Sequence, residues 1–155
     1  MAIDFSAGTR ISATASAINI PGSVIQFVDN TQNVAGSMNT SAWVDILSTS
    51  MTTSKAGNKI LVDYMCNHRS DQGNGTWSLI YHRILVNGSQ IMYSGHMGAN
   101  ANHIGFYGRT FLYTAASVGT YTFVASVLAH QGTAYIGNSG TGATQQYLRL
   151  FEIGT

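Results

Sequence analysis

The chain has 155 residues, 45% of them apolar and only 8% charged, with 7 Lys and Arg against 6 Asp and Glu for a formal net charge of +1. That length suits one domain, able to bury roughly two thirds of its unfolded surface. No block of like charge occurs, so the clustered cations that nucleic acid or an anionic membrane would require are missing, and neither partner is expected.

Typical soluble domains carry about a quarter charged residues. Here Ser, Thr, Asn, Gln and 17 Gly supply the polarity instead. Such a balance suits β-strands with turn-rich connections and a surface covered by neighbours, because a free monomer usually keeps more charge for solubility. A secreted or loop-rich monomer with a neutral surface is the other reading. Cys66 is the only cysteine, which rules out an intrachain disulfide and a site built from several thiolates. The apolar runs are too short to cross a bilayer, and the early Asp4 interrupts any leader-like segment, so neither a transmembrane helix nor a signal peptide is expected.

In chain order, residues 1–21 are rich in Ala, Ser and Thr, with Ile3, Phe5, Ile11, Ile18 and Ile20 as isolated apolar residues. The stretch closes at Pro21-Gly22, a turn or boundary. It reads as an extended N-terminal arm unable to build its own core; a short strand or helix packed on the domain is the alternative. Residues 22–155 read as the body. Short β-branched and aromatic segments are separated there by Gly, Asn, Asp and Ser. They predict strands at Val24–Val28, Ala42–Leu47, Ser50–Thr53, Lys59–Arg69, Thr76–Val86, Gln90–Tyr93, Gly105–Tyr113, Thr120–His130, Thr133–Ile136 and Gln145–Ile153, eight or nine of them real. Asn87-Gly88 between two apolar strands predicts a type I′ hairpin, whose central residues both take positive φ. Residues 71–75, 98–103 and 137–142 read as polar loops. No sustained 3.6-residue apolar period appears, so helices should be nearly absent.

Alternation inside the strands points to a covered second face. In Lys59–Arg69, Ile60, Val62, Tyr64, Cys66 and His68 share one side and Leu61, Asp63, Met65 and Asn67 the other. In Thr76–Val86, Trp77, Leu79, Tyr81, Arg83 and Leu85 oppose Ser78, Ile80, His82, Ile84 and Val86. A one-sided sheet in water alternates more cleanly, so another sheet, the arm or another subunit must cover some of these faces. The predicted fold is an all-β antiparallel sandwich, jelly-roll-like, with an immunoglobulin-like sandwich as second choice.

The segments AIDFSAGT, NIPGSVIQFV, SAWVDI, KAGNKILVDYM, RILVNGSQI, SVGTYTFVASV and YLRLFEIGT, together spanning Ala2 to the C-terminus, resemble small tailed-bacteriophage virion proteins. These include capsid decoration (cement) proteins and tail-fibre tip domains. The resemblance implies a jelly-roll body, a homotrimer, and an N-terminal segment that attaches to the virion; the candidate anchors are Ile3, Phe5, Ile11, Ile18 and Ile20, whose spaced apolar side chains can fill separate pockets along a partner surface. The partners would be other copies of the chain and the major capsid protein or another virion protein. The protein would be made in the bacterial cytoplasm and end on the particle surface. Only about twenty arm residues are available, with no shaft, which favours capsid decoration over a receptor-binding tip that recognises host surface glycans.

Chemistry-bearing groups are sparse. The histidines His68, His82, His96, His103 and His130 form no HxH or HExxH pattern, so no metal site is expected. Cys66 and His68 share a strand face, which would allow a metal or a nucleophilic pair in principle; a small buried thiol and a hydrogen-bonded histidine at an interface is the plainer reading. The acids Asp4, Asp29, Asp45, Asp63, Asp71 and Glu152 offer no recognisable pair flanking a bond for glycoside hydrolysis. Asp63 reads as a buried acid paired with Arg83, Arg109 or Arg149. No catalytic residue and no cofactor are expected. Among the aromatics Trp43, Trp77, Tyr81, Tyr93, Phe106, Tyr107 and Tyr113, the candidates for a sugar-stacking surface are Trp43, Tyr93 and Tyr107, because flat rings pack on pyranose faces.

Overall fold

The structure, a computed structural model, describes residues 21–33, 36–38, 42–71, 78–98, 103–131, 133–137 and 145–155. Among these residues there are ten strands and no helix. They are β1 (Val24–Gln32), β2 (Gly36–Met38), β3 (Val44–Thr53), β4 (Lys59–Asp71), β5 (Ser78–Val86), β6 (Ser89–Gly98), β7 (His103–Thr114), β8 (Gly119–Gln131), β9 (Thr133–Ile136) and β10 (Gln146–Ile153). The expected arm lies outside the described residues except for Pro21, and so do its anchors Ile3, Phe5, Ile11, Ile18 and Ile20.

All pairings are antiparallel. One sheet runs β1-β10-β4-β7, and the far end of β4 also pairs β9, with β2 beyond it. The other sheet runs β3-β8-β5-β6. With the short β2 and β9 set aside, the eight long strands fall in the order first-eighth-third-sixth in one sheet and second-seventh-fourth-fifth in the other. That interleaving is the strand order of a jelly roll, the predicted architecture.

The core lies between the sheets. Ile60, Val62, Tyr64 and Cys66 of β4 and Leu148 and Leu150 of β10 are buried from one side, and Ile80, Ile84, Phe123, Ala125 and Val127 from the other. Period-2 alternation puts every second residue of each strand there. In β5 the inward face is the one carrying Ile80, His82, Ile84 and Val86. Its neighbour β8 decides this: Val86↔Phe123 and Ile84↔Ala125 place that face beside the most apolar face of β8.

The predicted hairpin is present: Val86 pairs with Ser89 across Asn87 at φ 48° and Gly88 at φ 83°. The separate segments predicted at Ala42–Leu47 and Ser50–Thr53 form one strand, β3. Ser48, Ser50 and Thr52 are its outward face rather than a break. Ser50 Oγ meets Thr122 Oγ1 and Thr52 Oγ1 meets Thr120 Oγ1, each at 2.8 Å, as a ladder of cross-strand hydroxyl pairs. The short β2 was not predicted, because Gly36-Ser37-Met38 has no β-branched residue; its pairing with β9 defines it.

Candidate functional site

The outer face of the β3-β8-β5-β6 sheet carries an aromatic and charged platform. Register lines up Asp45, Ser126, Arg83 and Tyr93 across its four strands, and Trp43 directly precedes β3. Arg83 Nε donates to Ser126 Oγ at 3.3 Å, and Ser126 Oγ donates to Asp45 Oδ1 at 2.7 Å. The face of the guanidinium packs on Trp43, with Cζ 4.3 Å from the ring centre. One nitrogen and one face of Arg83 are thereby held, while the two terminal nitrogens have no hydrogen-bond partner among the described residues.

Four rings extend the platform. Trp43 meets Tyr93 edge-on at 6.1 Å, Tyr93 stacks on Tyr81 at 5.2 Å, and Tyr81 meets the exposed His130 at 5.8 Å. Gly95 lies opposite Tyr81 in the ladder, and a Cβ there would come within 3.0 Å of the Tyr81 ring. The missing side chain is what lets Tyr81 lie over β6 and stack on Tyr93. Tyr93 is 53% exposed. Its phenol is held above the ordinary tyrosine value, first by loss of water around it and then by the neighbouring Tyr81 phenol.

The structure thus brings together two of the three expected sugar-stacking residues, Trp43 and Tyr93. Tyr107 is elsewhere: it is 7% exposed, inside the sandwich. Its ring lies flat against His82, 4.1 Å between centroids and 8° between planes. Its position in β7 puts it on the inward face, which sequence alternation alone did not decide because Phe106, on the other face, is equally apolar. Tyr81, Arg83 and Gly95 were not among the expected contact residues; the Tyr81/Arg83 alternation in β5 was the available signal. Trp77 lies outside the described residues.

Inside the sandwich, Tyr64 OH and His82 Nδ1 are 3.0 Å apart, and the exposed Arg109 of β7 donates its Nε to Tyr107 OH at 3.3 Å. Cys66 and His68 do share the buried face of β4. The contacts of the thiol are with Asn67 O at 3.6 Å and Gln146 Oε1 at 3.5 Å. Burial pushes the Cys66 thiol up to about 12. A thiol so held is protonated at neutral pH, the wrong state for a nucleophile. Among the described residues, no three His, Cys, Asp or Glu side chains gather as a metal-binding group.

Asp63 is a correction. It is half-buried on the outer face of β4 and accepts from Thr110 Oγ1 at 2.9 Å, while Arg149, opposite it in register, bonds Asp29 at 3.2 Å. Among the described residues the buried acid is Glu152. Its place was readable in the alternation Leu148, Leu150, Glu152 of β10. Oε1 accepts from Ser54 N, Ser54 Oγ and Asn58 Nδ2 at 2.8, 2.9 and 2.7 Å, and Oε2 from Gln26 Nε2 at 3.0 Å. Burial acts to raise its carboxyl, but these donors outweigh it and hold the group below the ordinary carboxylate value.

A second exposed feature crosses the outer face of the β1-β10-β4-β7 sheet. Register places Phe27, Phe151, Leu61 and Leu112 side by side over four strands. Phe27 is 51% and Leu112 58% exposed. The Phe27 and Phe151 rings are 4.7 Å apart. The next row along the strands is Asp29, Arg149, Asp63 and Thr110.

Among the described residues, the two outer faces of the jelly-roll-like sandwich thus carry an aromatic and charged platform on one sheet and an apolar row on the other. No protein-family model matches the chain, and no curated protein matches it in sequence. Among solved structures, it is similar to chains in structures of infectious bursal disease virus, Gx strain (TM-score 0.44) and Gt strain (TM-score 0.39), each at 9% identity. The alignments cover 99% and 100% of this chain but 43% of each viral chain, so this chain spans less than half the length of those it matches. At that distance the likeness has no bearing on function.

Proposed function

We propose that this protein is a non-enzymatic virion structural module, a homotrimeric capsid decoration protein that associates with copies of itself and attaches to a phage head through residues 1–21. The observation that carries the proposal is the apolar row Phe27-Phe151-Leu61-Leu112 on the outer face, exposed at Phe27 and Leu112 and half-buried between them. A contiguous apolar strip on a surface with so few charges is suited to burial against a protein neighbour. The adjoining Asp29-Arg149-Asp63 row supplies alternating charge that can set register with that neighbour. The resemblance of the sequence to decoration proteins supports the trimer and the head as attachment point.

Light scattering on the intact chain tests the association, with a trimer expected at micromolar concentration. Leu112→Asp introduces an unpaired charge at the interface, costing about 3 kcal/mol or more, which weakens association at least a hundredfold. A wild-type monomer, or a trimer indifferent to Leu112→Asp and Phe27→Asp, would rule the row out as the interface. Binding of the purified protein to empty heads, with a gain in their heat resistance, tests the decoration role.

The platform on the other sheet favours a second reading, a tail-fibre or receptor-binding tip that recognises host surface glycans. Saturable binding to cells without binding to heads would select it.

A further inference from the structure

The platform has a feature that a purely neutral sugar would not use. Tyr93 and Trp43 offer ring surface for a pyranose face, yet the polar group set between them is a guanidinium. Asp45 does not neutralise it by direct contact, because the buried Ser126 hydroxyl lies between the two groups. Arg83 is also fixed before any ligand arrives: its Nε is hydrogen-bonded and its face is stacked on Trp43. A guanidinium held in this way keeps its terminal nitrogens as a paired donor edge, the geometry that takes a carboxylate in two parallel hydrogen bonds. Ordering costs are correspondingly low, since the long side chain does not have to be immobilised by the ligand.

We infer that the Trp43-Arg83-Tyr93 platform is a binding site for an acidic saccharide, the sugar ring stacking on Tyr93 and its carboxylate received by the terminal nitrogens of Arg83. This rests on the glycan-recognition reading and adds to it the charge of the ligand and the residue that selects it. Tyr81 is a positioning residue. Stacked on Tyr93 and accommodated by Gly95, it holds the Tyr93 ring in place. The chemistry is shared by sialylated and uronic-acid glycans, so both belong in the test.

The test uses the full chain with sialyllactose, digalacturonic acid and lactose as probes, read by saturation-transfer NMR and by amide-shift titration at millimolar sugar. At least one of the two acidic probes is expected to bind about tenfold or more tightly than lactose, with shifts centred on Arg83 and Tyr93. Arg83→Gln should abolish that preference while leaving residual stacking affinity. Tyr93→Ala should weaken all binding several-fold while the chain still folds, with the melting temperature lowered only by the loss of its ring contacts with Tyr81 and Trp43. Lactose bound as tightly as both acidic probes, with dependence on Tyr93, would overturn the acidic specificity but keep the glycan reading. No binding by any probe would overturn both. A change of oligomeric state in Tyr93→Ala would show that a second copy of the chain occupies the platform, and would overturn the inference as well.

Discussion

Asn58 Nδ2 donates to Glu152 Oε1 at 2.7 Å, and this bond ties the turn between β3 and β4 to the last strand. Ser54 adds a backbone and a hydroxyl donor to the same oxygen, Gln26 of β1 reaches the other, and Asn58 Oδ1 accepts from Thr155 N at 3.2 Å. One carboxylate therefore gathers β1, the β3–β4 turn and the C-terminal strand at one end of the sandwich.

Because the carboxyl of Glu152 sits lower in the folded chain than its ordinary value of 4.5, the stabilisation it provides is fully present above that value. It is lost as pH falls through the lower folded-state value. Glu152→Gln, which replaces one of the two acceptor oxygens by an NH2 that faces other donors, should cost about 2 kcal/mol at neutral pH. The gap in melting temperature between the wild type and Glu152→Gln should narrow as pH is lowered through and below pH 4.5. A gap constant from neutral pH to pH 3 would show that the ionised carboxylate is not what binds this end together.

The thiol of Cys66, buried and pushed up to about 12, should not react with a thiol-specific disulfide reagent at pH 8 in the native protein. Full labelling is expected only with denaturant. Cys66→Ser should leave assembly intact and lower stability by about 1 kcal/mol, as a small polar group replaces a buried apolar one. Rapid native labelling would mean that this part of the core opens readily.

Tyr107→Ala removes the ring that lies flat against His82 and leaves a cavity between the sheets, so a loss of about 3 kcal/mol or more in urea unfolding is expected. Tyr107→Phe keeps the stack and forfeits only the hydroxyl's contacts with Met92 Sδ and Arg109 Nε, at 3.6 and 3.3 Å. Its cost should be about 1 kcal/mol. Neither change should alter sugar binding at the platform; a loss in the Phe variant, which still folds, would place Tyr107 in the recognition path after all.

Gly88→Ala forces a side chain into the left-handed region at φ 83° and should cost about 1 kcal/mol by destabilising the β5–β6 hairpin. Gly95→Ala tests a different constraint, since φ there is ordinary and the obstacle is the Tyr81 ring 3.0 Å from the new Cβ. The ring is held by Tyr93 and His130, so it should be displaced rather than slide freely. A change in the Tyr93 environment by near-ultraviolet circular dichroism is expected, with global stability lowered by about 1 kcal/mol or less. An unchanged spectrum would show that the Tyr81–Tyr93 stack tolerates the methyl.

Much of the fold was legible because it is written in local chemistry. Asn87-Gly88 names a type I′ turn through its positive φ, and the β-branched and aromatic runs name strands whose side chains must alternate across a sheet. The composition already pointed to an all-β body. What local chemistry could not decide was the inward side of a strand apolar on both faces. Only the neighbours supply that: β8 turned His82 and Ile84 inward and left Tyr81 and Arg83 outside, and the inward face of β7 took Tyr107 away from Trp43 and Tyr93. The platform therefore belongs to the tertiary structure. It is assembled from β3, β5, β6 and β8, separated in sequence by up to 87 positions between Trp43 and His130, and cross-strand register alone brings them to one face. Glu152 shows the same division. Its alternation with Leu148 and Leu150 determines that it is buried, but whether a buried acid is neutral or charged depends on donors from Gln26, Ser54 and Asn58, which only the closed sandwich delivers.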